Sequence, residues 1–282
     1  MSGTLHVPGT WADGRTGEIV EHSELMARMA LRRVVLLGET HDRFDIHRWQ
    51  LHVCAGLLAH RSDIAVGFEM FPRRCQPVLD RWVAGALDVP TFLEQAEWNT
   101  VWRFDPALYM PLFHFCRQFG LPMLALNCER PLVTRVGKDG WDAIPEDERD
   151  GLTPAVPASL AHRQHLFAIT GGERGDRGAQ SGEDPAFDRF VRAQQTWDRA
   201  FAVNIAKALE ARRAGLVVGI IGRGHMDFGH GTPFQLADLG VDDAAILLPS
   251  DEAFGPGITG IGDAVFRLPG PPERAAPIIK TT

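Results

Sequence analysis

Short, unbroken apolar runs that each end on a polar residue are the strongest constraint on how this chain folds. In Arg33–Asp42, RVVLLGETHD, four apolar residues run from Val34 to Leu37 and stop at Gly38. Ile64–Phe71 repeats the pattern and is closed by Pro72, with Glu69 near its carboxyl end. Pro122–Asn127 and Leu216–Ile221 follow, the latter running into Gly222-Arg-Gly-His225. Runs without polar alternation suit strands buried on both faces, as in a parallel sheet. Ala244–Leu248 and Asp263–Leu268 read as two further strands.

Helical periods separate these runs. Asp45–His60 carries Ile46, Trp49, Val53, Leu57 and Leu58 on one face. Asp105-Pro106 starts a helix that reaches Phe119 and ends at Gly120. Asp184-Pro185 opens the longest one, striped by Phe187, Phe190, Val191, Gln194, Trp197, Phe201 and Ile205 to about Arg213, with Gly215 as its stop. Ser23 caps a short helix over Glu24–Leu31, residues 73–104 read as short helices, and Pro131–Trp141 and Pro154–Thr170 are helical. Residues 1–20 read as a surface-draped segment and Gly171–Glu183 as a mobile loop. Strands alternating with helices predict a single α/β domain over 1–282, a mostly parallel central sheet flanked by helices, with an inserted helical lobe at about 138–213.

A formal net charge of -7, with no cluster of Lys and Arg, argues against a nucleic-acid surface and against anionic membranes. No apolar run approaches membrane-spanning length, and the first residues have no signal-peptide core. Cys54, Cys75, Cys116 and Cys128 are scattered, which reads as reduced thiols in a cytoplasmic protein rather than a zinc site.

Function is expected at the strand ends. Glu39 and His41 point the same way if strand geometry persists past Gly38, because side chains alternate. Glu69, Asn127 and His225 occupy the ends of three other runs, and the carboxyl edge of an open parallel sheet is where ligands bind. Singly, each of these is a cap, turn or packing residue; four strands with the same habit point to a shared site. Three chemistries fit. His41, His225, Glu39 and Glu69 suffice for a divalent metal with open positions. Without metal, His41 held by Glu39 or Glu69 is a general base. Or the rim edges a pocket for a planar, apolar ligand. Tyr109, the only tyrosine, is expected to pack by its ring with a wet hydroxyl. Gln194 is either a satisfied core amide or a site residue, and Asp198 either pairs with an Arg or braces the site. His47, His52, His162 and His165 read as surface or packing residues. Gly219–Gly224 lacks G-x-G-x-x-G spacing, and there is no P-loop, H-E-x-x-H or G-x-S-x-G.

GETHD at Gly38–Asp42, FEMF at Phe68–Phe71, the Trp102…Tyr109-Met-Pro111 segment, LALN at Leu124–Asn127, AQQTWD at Ala193–Asp198 and GRGH at Gly222–His225 resemble, in order, the ChaN-like proteins. These form the haem-binding uptake group of the Tiki/TraB/erythromycin-esterase superfamily, and the resemblance covers about residues 15–268. It implies different activities by branch: haem-binding, iron-regulated lipoproteins that dimerise around haem; a hydrolase with an essential His and Glu set; or metal-dependent proteases. By motif, Glu39, His41, Glu69 and His225 fall on the superfamily's active-site positions, and Asn127, Gln194 and Asp198 on the ChaN-like pattern alone. There is no lipoprotein signal, and Arg223 stands where a small polar residue is expected; a cation there binds a carboxylate or pairs with Glu69 or another acid. The first expectation is a cytoplasmic protein binding haem or a similar small molecule at the rim, with Trp102, Tyr109, Asn127, Gln194, Asp198 and Arg223 around the ligand and a homodimer possible. The alternative is an esterase- or peptidase-like hydrolase.

Overall fold

The computed structural model describes residues 6–171 and 178–270 of the 282-residue chain. Eight strands form one sheet: β1 Trp11–Asp13, β2 Ile19–Val20, β3 Val34–Glu39, β4 Ile64–Pro72, β5 Met123–Asn127, β6 Leu216–Gly222, β7 Ala244–Ser250 and β8 Ala264–Arg267. Their order is β2-β1-β8-β7-β3-β6-β4-β5. Every pairing from β8 to β5 is parallel, and β1 adds antiparallel to β8 and to β2. The mostly parallel sheet expected from the apolar runs is present.

Period two persists inside the all-apolar strands. Val35 and Leu37 join a core with Val66, Phe68, Val218 and Ile220 on one face. Val34 and Leu36 join a second core with Ala65, Val217 and Ile221 on the other. The first face is covered by α1 His22–Met29, α2 Phe44–His60, α3 Gln76–Val83, α4 Val89–Gln95, α5 Trp98–Val101 and α6 Met110–Phe119. Against the second lie α9 Asp188–Glu210, through Phe201, Ala202 and Ile205, and α10 Thr232–Asp238, through Leu236. Helix α7, Arg130–Asp139, packs on α9 from outside, and α8, Leu160–Thr170, packs on the start of α9.

Several boundaries differ from the sequence reading, each for a local reason. Residues 11–13 and 19–20 are strands, not surface drape: Trp11 is buried, donates its indole N–H to His22 and packs against Trp49 and Phe266. Helix α1 starts at His22 after Glu21, without a side-chain cap from Ser23. The stretch from Asp105 is a 3-10 turn, Pro106–Leu108, before α6 restarts with a proline in its first turn. Gly120 ends α6 in the left-handed region, as expected.

Residues 154–159 are not helical, since Pro154 and Pro157 supply no N–H and both polar backbone groups of Val156 are taken by Gln235. Ser159 then caps α8. The stop of α9 comes from Arg212, at φ 53°, instead of Gly215. Gly215 serves close approach, because a Cβ there would collide with the Arg61 and Asp63 side chains. The mobile segment expected at 171–183 falls partly outside the described residues. Among the described residues, no helix is long and apolar enough to cross a membrane.

Replacing Trp11 with Ala removes the ring that ties the sheet's antiparallel edge to α2. The expected loss of stability is about 3–5 kcal/mol, measured by denaturant unfolding; a loss below about 1 kcal/mol would mean β1 is not part of the core.

Candidate functional site

Strand order brings the candidate residues together. Strand β6 inserts between β3 and β4, with Glu39 in register with Gly222 and Phe68 with Ile220. The segments after β3 and β6 therefore leave the sheet side by side, and Glu69 leaves β4 on the far side of β6.

Two imidazoles are braced from opposite faces of the sheet. His41 donates Nδ1–H to Glu39 Oε1 at 2.7 Å. Glu39 shares the face of Val35 and Leu37, and helices on that face supply its other donors. The Tyr109 hydroxyl reaches Oε1 at 2.7 Å and Gln50 Nε2 reaches Oε2 at 3.1 Å. His47 donates Nε2–H to the His41 carbonyl at 3.1 Å and lies 3.6 Å from Glu39 Oε2. His225, from the 3-10 turn after β6, donates Nδ1–H to Asp198 Oδ1 of α9 at 2.8 Å. Each carboxylate fixes one ring nitrogen, which leaves Nε2 as the outward one.

Glu69 stands between the rings. Its Oε1 is 3.9 Å from His225 Nε2, and its Oε2 accepts the Gly222 N–H at 2.5 Å. An added Cβ at Gly222 would meet His41 Cε1 at 3.0 Å and Glu69 Oε2 at 3.3 Å, so only glycine lets these groups close around the β6 end. Asn127 locks the neighbouring edge, donating to the Glu69 carbonyl at 2.7 Å and accepting from Cys128 N–H at 2.8 Å.

His41, Glu69 and His225 line a cavity of about 530 Å³, within the usual range for small-molecule sites. Trp102, Phe104 and Trp197 form its walls; Trp102 meets His41 edge-on at 4.7 Å and Phe104 lies 5.3 Å from it. Arg74, Arg103 and Arg130 stand at the mouth. Arg74 is tied to Glu97 and Glu129; Arg103 and Arg130 are exposed and have no ion pair among the described residues.

The electrostatics follow from these contacts. Burial works against charge on His41, but the Glu39 hydrogen bond and the charges of Glu69 and Glu39 prevail and raise its pKa. Burial likewise opposes charge on His225, and the charge and hydrogen bond of Asp198, with Glu69, raise it. Burial alone would raise Glu39; the hydrogen bond from His41, the nearby His47 and His41 rings and the Tyr109 hydroxyl hold it below the usual carboxylate range.

Other candidates sit elsewhere than the sequence suggests. Tyr109 has no wet hydroxyl: the residue is fully buried, and its O–H is spent on Glu39. Arg223 turns away from the cavity and pairs with Asp227 at 3.2 Å. Gln194 is half-buried, its side chain hydrogen-bonds to no described residue, and it does not line the cavity. Among the described residues, no three His, Cys, Asp or Glu side chains are gathered to hold a metal ion. Glu39 and Asp198 lie behind the rings, and one Glu69 oxygen is taken by backbone, so the divalent-metal reading has no geometric support. His47 and Gln50 are the participants missed in sequence; their spacing of three on one helical face is the signal that could have found them.

The raised pKa values have a stability consequence. Both rings keep their protons in the folded chain above the ordinary value of 6.5. The stabilisation is complete below that value and is lost as pH rises through the raised folded values. The denaturation midpoint should therefore fall as pH rises above about 6.5, and fall less in His41→Gln and His225→Gln. A midpoint that climbs over this range in the parent chain would contradict the assignment.

Residues 25–236 match the family described as haem-binding uptake, Tiki superfamily, ChaN. No curated protein is significantly similar in sequence. ChaN of Campylobacter jejuni, for which cofacial haem binding is described, superposes with a TM-score of 0.70 at 19% identity, over 91% of this chain and 95% of that one. The type III effector HopBA1 superposes with a TM-score of 0.51 at 11% identity, over 88% and 93% of the two chains. At such identities the likeness is one of fold. The family match spans most of the chain, and the chain belongs to the haem-binding uptake family of the Tiki superfamily, the family of ChaN.

Proposed function

We propose that the cavity at the carboxyl ends of β3, β4, β5 and β6 binds haem or a closely similar planar ligand bearing carboxylates. The observation that carries this reading is the pairing of an aromatic-walled cavity with outward imidazole nitrogens at its floor and, at its mouth, arginines with no ion pair among the described residues. The residues suit the group. Trp102, Phe104 and Trp197 offer apolar surface to a flat ring. Arg103 and Arg130 offer cations to acidic substituents in a chain that is otherwise net negative. Once a ligand displaces its Nε2 proton, the His41 ring is a Lewis base whose Nδ1–H is held by Glu39, an arrangement that fixes ring orientation and raises basicity. Bound haem would supply the iron for that nitrogen. Tyr109 is a poor candidate for the same role, because its hydroxyl is buried against a carboxylate.

The family and the C. jejuni neighbour add weight to a haem-associated function. The four buried, unpaired cysteines favour the cytoplasm within this proposal. A homodimer also belongs to it, and sedimentation with and without haemin reads it directly.

One observation favours a second reading. Two carboxylate-braced histidines flanking Glu69 are the parts of a general base acting on water, as in a hydrolase.

A haemin titration followed by visible absorption separates the two. The expected result is a saturable band shift, lost or displaced in His41→Ala and kept in Tyr109→Phe. Arg103→Ala and Arg130→Ala should each weaken binding by about 5- to 100-fold. Absence of any saturable shift overturns the haem reading. Ester or amide turnover that depends on His41 and Glu69 would then establish the hydrolase.

A further inference from the structure

Three buried side-chain atoms without a hydrogen-bond partner among the described residues share one location: His162 Nε2, His165 Nε2 and Asp227 Oδ1. Folded proteins rarely leave such groups unpaired without a use. His162 and His165, with Ile169, form one stripe of α8 at spacings of three and four. The stripe faces the loop that carries His225. His162 stacks on His230, with centroids 5.0 Å apart and planes within 15°. His165 meets Phe228 edge-on at 5.3 Å, and its Nε2 lies 3.7 Å from Asp227 Oδ2, which Arg223 also contacts at 3.2 Å. Ile169 rests on Gly224, where an added Cβ would touch its Cδ1 at 3.4 Å.

The rest of α8 is attached separately. Leu166 packs with Phe187 and Val191, and Arg163 bridges Asp188 at 2.7 Å. One attachment is an apolar contact with an ion pair beside it; the other is built around imidazoles.

Burial lowers the His162 pKa to about 4, with Asp198 pulling the other way and His230, His165 and His225 reinforcing the drop. Burial and His165 also lower His230, against Asp227. At neutral pH both rings are uncharged and their stack costs nothing electrostatically. When both are protonated, two like charges face each other, and a charged His162 competes with His225 for Asp198.

We propose that this stripe is an acid-released latch: protonation of His162 and His230 drives α8 off the loop that carries His225 and loosens that wall of the cavity. The apolar attachment to α9 keeps the helix folded while the latch opens. The sign follows from the lowered folded-state values. The closed form is fully favoured above the unfolded value of 6.5 and loses about ten-fold per pH unit through His162 as pH falls toward about 4, with His230 adding in the same direction.

Hydrogen exchange read by mass spectrometry on the intact chain tests this without any ligand, so its outcome is independent of haem binding. Rates are corrected for intrinsic chemistry at about pH 7.5 and about pH 5. Amides in 160–170 and 223–231 should lose at least about ten-fold in protection at the lower pH while α2 keeps its own. His162→Phe keeps a stacking ring without a titrating nitrogen and should abolish the acid-induced loss. His230→Phe, at a half-buried position, should do the same and stands in if the first variant does not fold. The latch is overturned by unchanged protection in the parent chain, by a parallel loss in α2, or by an undiminished loss in the phenylalanine variants.

Discussion

A carboxylate placed at the end of a fully buried strand is the constraint around which the candidate site of this molecule is built. Glu39 is 2% exposed, and a charge so placed is tolerated only when it is paired and hydrogen-bonded. Its partners come from three places in the chain: His41 just past the strand, Gln50 and His47 on the next helix, and Tyr109 before α6. Satisfying Glu39 therefore requires α2 and α6 to pack on the same face of the sheet. The orientation of His41 is a by-product of that requirement. A buried acid that costs stability alone becomes, with its donors, the device that aims an imidazole.

The opposite face solves the same problem with different elements. Asp198 is 1% exposed, sits on α9, and orients His225 from the far side of β6. The two rings meet around Gly222, where the lack of a side chain leaves room for His41 and Glu69. Acidic groups thus lie behind and between the histidines, while Arg103 and Arg130, with no ion pair among the described residues, line the cavity. Acid and alkaline behaviour are also separated in space: the rings at the sheet end hold their protons, whereas those under α8 shed them.

Much of the fold was legible because a buried parallel strand leaves a sign that local reading detects. Val34–Leu37, Ile64–Phe71 and Leu216–Ile221 could hardly be anything but core strands, and Gly120 marks its helix end by the left-handed conformation it adopts. The misses occurred where tertiary contacts outweigh local preference. Trp11 sits in a polar, turn-rich stretch and becomes a strand because β8 offers an edge and Trp49 a surface. Val156 is drawn out of a helical period by the Gln235 side chain, from a helix 79 residues later.

For the candidate site, the amino-acid sequence alone singled out four polar residues at the strand ends. Glu39, His41, Glu69 and His225 each interrupt or follow an apolar run, and a polar group in such a place needs a reason. What it could not determine was who faces whom. That Glu39 braces His41 follows from period two, yet that Tyr109 serves Glu39 instead of a ligand, that Asp198 holds His225, and that Arg223 points to Asp227 all depend on helices packing from opposite sides. Strand order decided the rest. Only the insertion of β6 between β3 and β4 places residues nearly two hundred positions apart around one cavity, because hydrogen-bonded register between strands is a long-range property that no local pattern encodes.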